Sequence, residues 1–139
     1  MNIKSKHLKI ISTDGGFVMR CIKASESEYK GFGEAYFSWI NYKIIRAWKL
    51  HLKMTLNLFV PYGRVKFVFF YDENPNNFHV EEIGKDIYKR LTISPGIWFG
   101  FQGLQKSGSL IMNIADIEHD PNEVIKKPLN SFNFDWNKK

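Results

Sequence analysis

The middle of the chain alternates. From Lys49 the odd positions are Lys49, His51, Lys53, Thr55 and Asn57, and the even ones are Leu50, Leu52, Met54, Leu56 and Leu58. A period of two is the pattern of a strand with one apolar and one polar face. Pro61-Tyr62-Gly63 breaks the run. Proline suits the start of a turn, and glycine can take a positive φ. Beyond it, residues 64–71 are almost wholly β-branched and aromatic, as expected of a second, more buried strand. If the sheet closes into a barrel, the polar face of residues 49–57 lines a pocket.

Shorter runs flank this pair. Residues 8–12 are a short apolar run, and 17–24, 31–39, 78–83, 88–93, 97–104 and 109–115 read as strands. Gly, Pro, Asn and Asp clusters at 13–16, 72–77, 84–86 and 94–96 read as turns between them. Residues 116–123 are polar and loop-like. The tail from 128 to 136 carries spaced apolar residues that predict packing on the outside. No segment has a convincing helical period. Many short strands with frequent turns predict an all-β antiparallel sandwich or barrel, as one domain spanning residues 1–139.

A chain of this length buries roughly two thirds of its unfolded surface, enough for a real core. Cys21 is the only cysteine, which excludes an intramolecular disulfide and a cysteine-based metal site. No apolar run is long enough for a signal peptide or a membrane span, so a soluble, cytoplasmic protein without a membrane partner is expected. The formal net charge is +6, but the lysines are scattered rather than clustered. No nucleic-acid partner is expected on that ground. A basic rim that attracts an anionic small molecule fits as well.

Several segments carry a resemblance to a known family. Ile45-Arg46-Ala47-Trp48-Lys49-Leu50-His51 is similar to an Arg-Gly-Leu-His-type segment, and Gly63-Arg64-Val65 with the strand after it to a Gly-Glu-Val strand pair. Residues 90–101 (RLTISPGIWFGF) resemble a Pro-x-Gly-x-x-His-Gly-Phe segment; residues 113–121 and the Asp135-Trp136 ending also fit. Together these resemble the cupin-type nucleotide-sugar epimerases, the dTDP-4-dehydrorhamnose 3,5-epimerase family. The related dTDP-4-keto-6-deoxyglucose 3,4-ketoisomerases carry an Arg-Gly-x-His-x-His segment that lies over Arg46 to His51.

The resemblance implies a cupin jelly roll, a homodimer, and a dTDP-sugar held inside the barrel. It implies a reaction without a cofactor, in which a base removes the proton beside a C4 ketone, the enolate is stabilised, and a proton returns. Epimerisation is the first expectation. A 3,4-ketoisomerase is the alternative, because His51 matches the second histidine of that pattern. A non-catalytic nucleotide-sugar binding subunit is a third reading. It draws on three departures from the epimerase pattern: Lys49 replaces the catalytic histidine, Phe99 the histidine before Gly-Phe, and Asn113 falls near the acid tyrosine. The C-terminal segment with the aspartate that partners the histidine has no match after Trp136, so no such carboxylate is expected.

The candidate catalytic residues are His51 and Lys49, as base and enolate stabiliser in either order. Histidine suits proton transfer near neutrality, and a desolvated lysine serves as a base or, charged, as an oxyanion partner. Arg46 is expected to take the diphosphate with its planar fork. Thr55, Asn57 and Asn113 are candidates for sugar hydroxyls, and Trp98 for stacking on the base. A metal-binding cupin needs two histidines at i and i+2, a nearby glutamate and a later histidine. Lys49 and Phe99 occupy two of those places, so no metal ligands are expected.

Overall fold

In the computed structural model, residues 3–72, 74 and 76–138 are described. The strands in chain order are β1 (Ile3–His7), β2 (Ile10–Thr13), β3 (Gly16–Met19), β4 (Glu34–Ile40), β5 (Ile45–His51) and β6 (Leu56–Tyr62), then β7 (Arg64–Phe70), β8 (Phe78–Gly84), β9 (Lys89–Ile93), β10 (Trp98–Gly103), β11 (Ser109–Ala115) and β12 (Val124–Lys126). Two single-turn 3₁₀ segments, Pro121–Glu123 and Leu129–Ser131, are the helical elements among the described residues, and none is long and apolar enough to cross a membrane.

Two five-stranded antiparallel sheets face one another. One has the order β1-β9-β6-β11-β4 and the other β12-β5-β10-β7-β8. Neighbours in a sheet are mostly distant in sequence, which makes this a jelly roll, the fold expected from the chain. Leu56, Leu58, Val60, Phe67, Phe69 and Leu91 interdigitate between the sheets with Ile93, Phe99 and Ile111. Burial of such side chains, roughly 1.5–3 kcal/mol each, is what holds the sheets together.

Several expected boundaries held. The strands near 64–71, 78–83, 88–93, 97–104 and 109–115 lie where the pattern puts them. Gly63 turns β6 into β7 with φ +85°, and Gly96 precedes β10 with φ +88°.

The alternating run from Lys49 to Leu58 is not one strand. β5 ends at His51, residues 52–55 cross from one sheet to the other, and β6 begins at Leu56. β5 pairs with β10 and β12, whereas β6 pairs with β9 and β11. The parity of the side chains is therefore reset at the corner. The N-terminal expectation also shifts: β2 and β3 form a small separate hairpin. After it, the chain runs irregularly along the outside of the first sheet. Arg90 holds it there, donating to the Cys21 carbonyl and to Glu26 and Glu28.

The tail packs on the outside, as its spaced apolar residues predict. Phe132 and Trp136 join Trp48, Val68, Phe70 and Trp98 in a second apolar cluster on the outer face of the second sheet. Lys66, on that same face, donates to the carbonyl of Trp136 at 2.8 Å and pins the tail.

Candidate active site

A cavity of about 430 Å³ opens between the sheets, and is lined by residues of β4, β5, β6, β7, β10, β11 and β12. That volume is within the range of small-molecule pockets, roughly 300–1,000 Å³. Leu56, Leu58, Phe67, Phe99 and Phe101 form its apolar walls without filling it.

The polar groups on one wall come from β5. A bulge interrupts its pairing with β10: Phe101 faces Arg46 and Gly100 faces Ala47, but Phe99 faces Lys49. Trp48 is the extra residue, and its side chain goes to the outer aromatic cluster. A bulge of this kind re-aims the side chains that follow it. As a result Arg46, Lys49 and His51 all line the cavity. Gly100 is required at the bulge, since a Cβ there would collide with the Ala47 side chain.

His51 is 6% exposed. Its Nδ1 bonds Glu123 Oε1 at 2.5 Å, and its ring lies nearly parallel to Phe99, with centroids 6.1 Å apart. That bond uses Nδ1, leaving Nε2 as the other ring nitrogen, and His51 lines the cavity. Glu123 is 2% exposed. A buried carboxylate needs compensation. Here the backbone N–H groups of Lys53 and Met54 donate to its other oxygen at 3.0 and 3.2 Å. Burial pushes the Glu123 carboxyl up, but His51 and these two N–H groups outweigh it and hold the group below the usual carboxylate value. Glu123 therefore stays ionised and sets which imidazole nitrogen faces the cavity.

Glu123 was not anticipated. The sequence pattern led to no carboxylate partner for His51, yet one arrives from 72 residues away. It sits in a polar stretch, in the single turn before β12, and nothing local marks it. β12 then pairs with β5 and brings Lys126, with Lys127 following, to the rim.

The opposite wall comes from the first sheet. Tyr36 and Ser38 of β4 and Asn113 of β11 line the cavity there. Asn113 is 2% exposed. Its Oδ1 accepts from the backbone N–H of Asn57 at 3.1 Å and its Nδ2 donates to the Tyr36 hydroxyl at 2.9 Å. This leaves the tyrosine O–H free to donate into the cavity. Tyr36 was missed because residues 31–39 read as a uniformly aromatic strand; the signal was the polar parity of Glu34, Tyr36 and Ser38 within it.

Three expected substrate contacts face elsewhere. Asn57 points to the outside of the first sheet, where it accepts from Thr92 Oγ1 at 2.6 Å and donates to the Glu28 carbonyl. Leu56 and Leu58 take the inward positions, because the corner at 52–55 inverts the parity assumed for a single strand. Thr55 is not among the cavity-lining residues; it lies at that corner, its N–H donating to Asp116 at 2.8 Å. Trp98 belongs to the outer cluster, beside Phe132 and under Lys127 Nζ at 4.7 Å. Its neighbour Phe99 has the inward place.

Lys49 lies toward the cavity mouth. Burial of its stem lowers the ammonium below the ordinary lysine value, and the charges of Lys126 and Arg46 push the same way.

No family model matches the sequence, and no curated protein matches it. Solved structures do. The chain is similar to a dTDP sugar isomerase from Desulfovibrio desulfuricans at 28% identity and TM-score 0.88, over 96% of this chain and 90% of that one. It shares the fold of QdtA, a sugar 3,4-ketoisomerase from Thermoanaerobacterium thermosaccharolyticum solved with TDP, at 20% identity and TM-score 0.77, over 91% of this chain and 88% of that one. The fold also matches a dTDP-4-dehydrorhamnose 3,5-epimerase from Sulfolobus tokodaii at 19% identity and TM-score 0.84, over 100% of this chain and 83% of that one. Fold, ordered sequence segments and these likenesses agree with the resemblance to the cupin-type nucleotide-sugar epimerases and isomerases.

Proposed function

We propose that the protein is an epimerase that moves a proton beside the C4 ketone of a dTDP-4-keto-6-deoxy-hexose. The observation that carries this reading is the His51–Glu123 pair on one wall of the cavity with the Tyr36 hydroxyl on the facing wall. An imidazole oriented by a buried carboxylate is a general base, and the ionised Glu123 stabilises the imidazolium that forms. Lys49 meets the ketone oxygen from the same wall as His51. Tyr36, its oxygen held by Asn113, returns a proton from the other side, which is what inversion requires. Arg46 and Lys126 at the rim suit a diphosphate. The walls are apolar, which strengthens each of these charges.

A second reading, the 3,4-ketoisomerase, is favoured by a specific observation. The likeness at 28% identity is to a dTDP sugar isomerase, and it covers nearly all of both chains. The two reactions share the first proton abstraction and differ in where the proton and the carbonyl end.

One experiment separates them. The protein is incubated in deuterated water with dTDP-4-keto-6-deoxyglucose and followed by NMR. Deuterium at C3 or C5 with inverted configuration is the expected result. A carbonyl at C3 selects the ketoisomerase. Thymidine diphosphate binding without exchange leaves only a binding subunit. His51→Asn should slow exchange by roughly 10²- to 10⁴-fold, the contribution of a general base; unchanged turnover overturns its role.

The active unit we propose is a homodimer. β4 is an edge strand, and its outer face exposes Phe37 (63%) and Trp39, the latter stacked on Tyr62 of the same surface. Edge strands and apolar patches need cover. Sedimentation equilibrium at micromolar concentration should show two copies, and Trp39→Lys should leave one.

A further inference from the structure

A row of rings crosses the inner face of the second sheet. Phe99 of β10 is directly opposite Phe69 of β7, and Phe69 is directly opposite His79 of β8. Opposed residues of antiparallel strands bring their side chains together on one face. The rings of Phe99 and Phe69 have centroids 6.3 Å apart with planes at 32°, and those of Phe69 and His79 are 6.3 Å apart at 27°. The far end of the row is tied down, because His79 Nε2 bonds Glu81 Oε2 at 2.6 Å. Phe69 is fully buried and Phe99 is 6% exposed, so the plane of Phe99 is fixed from behind. Its other side meets His51, with centroids 6.1 Å apart and planes only 20° from parallel.

That contact supplies what the carboxylate alone does not. The torsion that turns an imidazole about its Cβ–Cγ bond is soft. The single hydrogen bond between Nδ1 and Glu123 anchors one corner of the ring and leaves the ring to rock about that corner. Rocking displaces Nε2, which lies across the ring from the anchor. A flat ring laid along the imidazole face removes this freedom, and aromatic planes at such separations attract one another. We infer that Phe99 is a positioning residue for His51. Its ring sets the plane of the imidazole, Glu123 sets the rotation within that plane, and together they aim Nε2 at the carbon that loses its proton. This rests on His51 as the base of the proposed reaction. Phe99 does no chemistry itself. Misplacing a reacting group by about 1 Å costs roughly a hundred-fold in rate, which makes the plane of the ring matter.

The test substitutes the ring and follows deuterium exchange into dTDP-4-keto-6-deoxyglucose. Phe99→Leu keeps an apolar side chain of similar bulk and removes the flat face. It should lower kcat by roughly 10- to 100-fold, with KM and thymidine diphosphate binding little changed. Phe99→Tyr keeps the ring and should recover most of the lost kcat. In the parent protein, NMR should show nuclear Overhauser contacts between the imidazole protons of His51 and the ring protons of Phe99. Their absence overturns the role, and this measurement decides the matter if Phe99→Leu does not fold. A folded Phe99→Leu with kcat within a few fold of the parent also overturns it. So does a loss that Phe99→Tyr fails to recover, or a rise in KM at unchanged kcat, which would make Phe99 a wall for the sugar instead. A parent that exchanges no deuterium overturns His51 as the base and this role with it. A parent that exchanges while Phe99→Leu exchanges equally fast overturns this role alone.

Discussion

Glu123 shows how much one side chain can decide. It is buried, takes three hydrogen bonds, and presents a fixed negative charge to His51 Nδ1. Replacing it with glutamine retains an acceptor for the two backbone donors but removes the charge that stabilises an imidazolium. Glu123→Gln should therefore lower kcat by roughly 10²- to 10⁴-fold, within the range of general-base catalysis, with KM little changed. Steady-state kinetics on the purified variant checks this, and a fall in KM affinity without a fall in kcat would assign Glu123 to binding instead. Of the residues around it, Lys49 and His51 were legible, because they keep a local period of two, and Arg46 was legible from its chemistry; the bulge at Trp48 is what brings Arg46 to the same face as the other two. Asn57 and Trp98 were misplaced for the converse reason. Each lies one residue from an inward side chain, and a one-residue change of phase turns a strand over.

At the scale of elements, β5 is the critical strand. It is held on one edge by β10 and on the other by the short β12, which follows directly on Glu123. What keeps β12 in place is the tail beyond it. Phe132 stacks on Phe70 with centroids 4.5 Å apart and meets the edge of Trp48 at 5.1 Å. Trp48 in turn donates its indole N–H to the Leu129 carbonyl at 3.0 Å. Removing the ring leaves a cavity among well-packed aromatics. Phe132→Ala should cost about 3 kcal/mol in urea unfolding, at the low end for phenylalanine truncation because the site is close to solvent. A change within 0.5 kcal/mol would mean that the tail is only loosely docked. The packing of residues 128–136 was foreseeable from their apolar spacing, but which strands they would cover was not.

For the whole molecule, the outside of the first sheet is clasped by charge rather than by aromatics. Arg90 is fully buried and bonds Glu26 and Glu28. Hydrogen bonds from Arg90, from Lys6 and from the Lys23 N–H hold the Glu26 carboxyl at about 2, against an ordinary 4.5. A depressed carboxylate favours the folded state above the ordinary value, and that contribution is lost as the pH falls from about 4.5 toward 2. Urea unfolding at a series of pH values should show stability falling across that window. Glu26→Gln should be less stable at neutral pH and flatter across the same window; an unaltered slope would show that other carboxylates govern acid unfolding.

The amino-acid order alone determined the short strands, their turns at Gly63 and Gly96, the absence of a helical period and the inward course of β5 as far as His51. These depend on backbone sterics and on side-chain alternation, which act over a few residues. Tertiary structure decided which half of the alternating run joined which sheet, that Phe99 rather than Trp98 faces the cavity, and that Glu123 meets His51. Those outcomes depend on strand register and on charges meeting across 72 residues of chain. A buried carboxylate is tolerable only where its donors have already been assembled, and only the closed jelly roll assembles them.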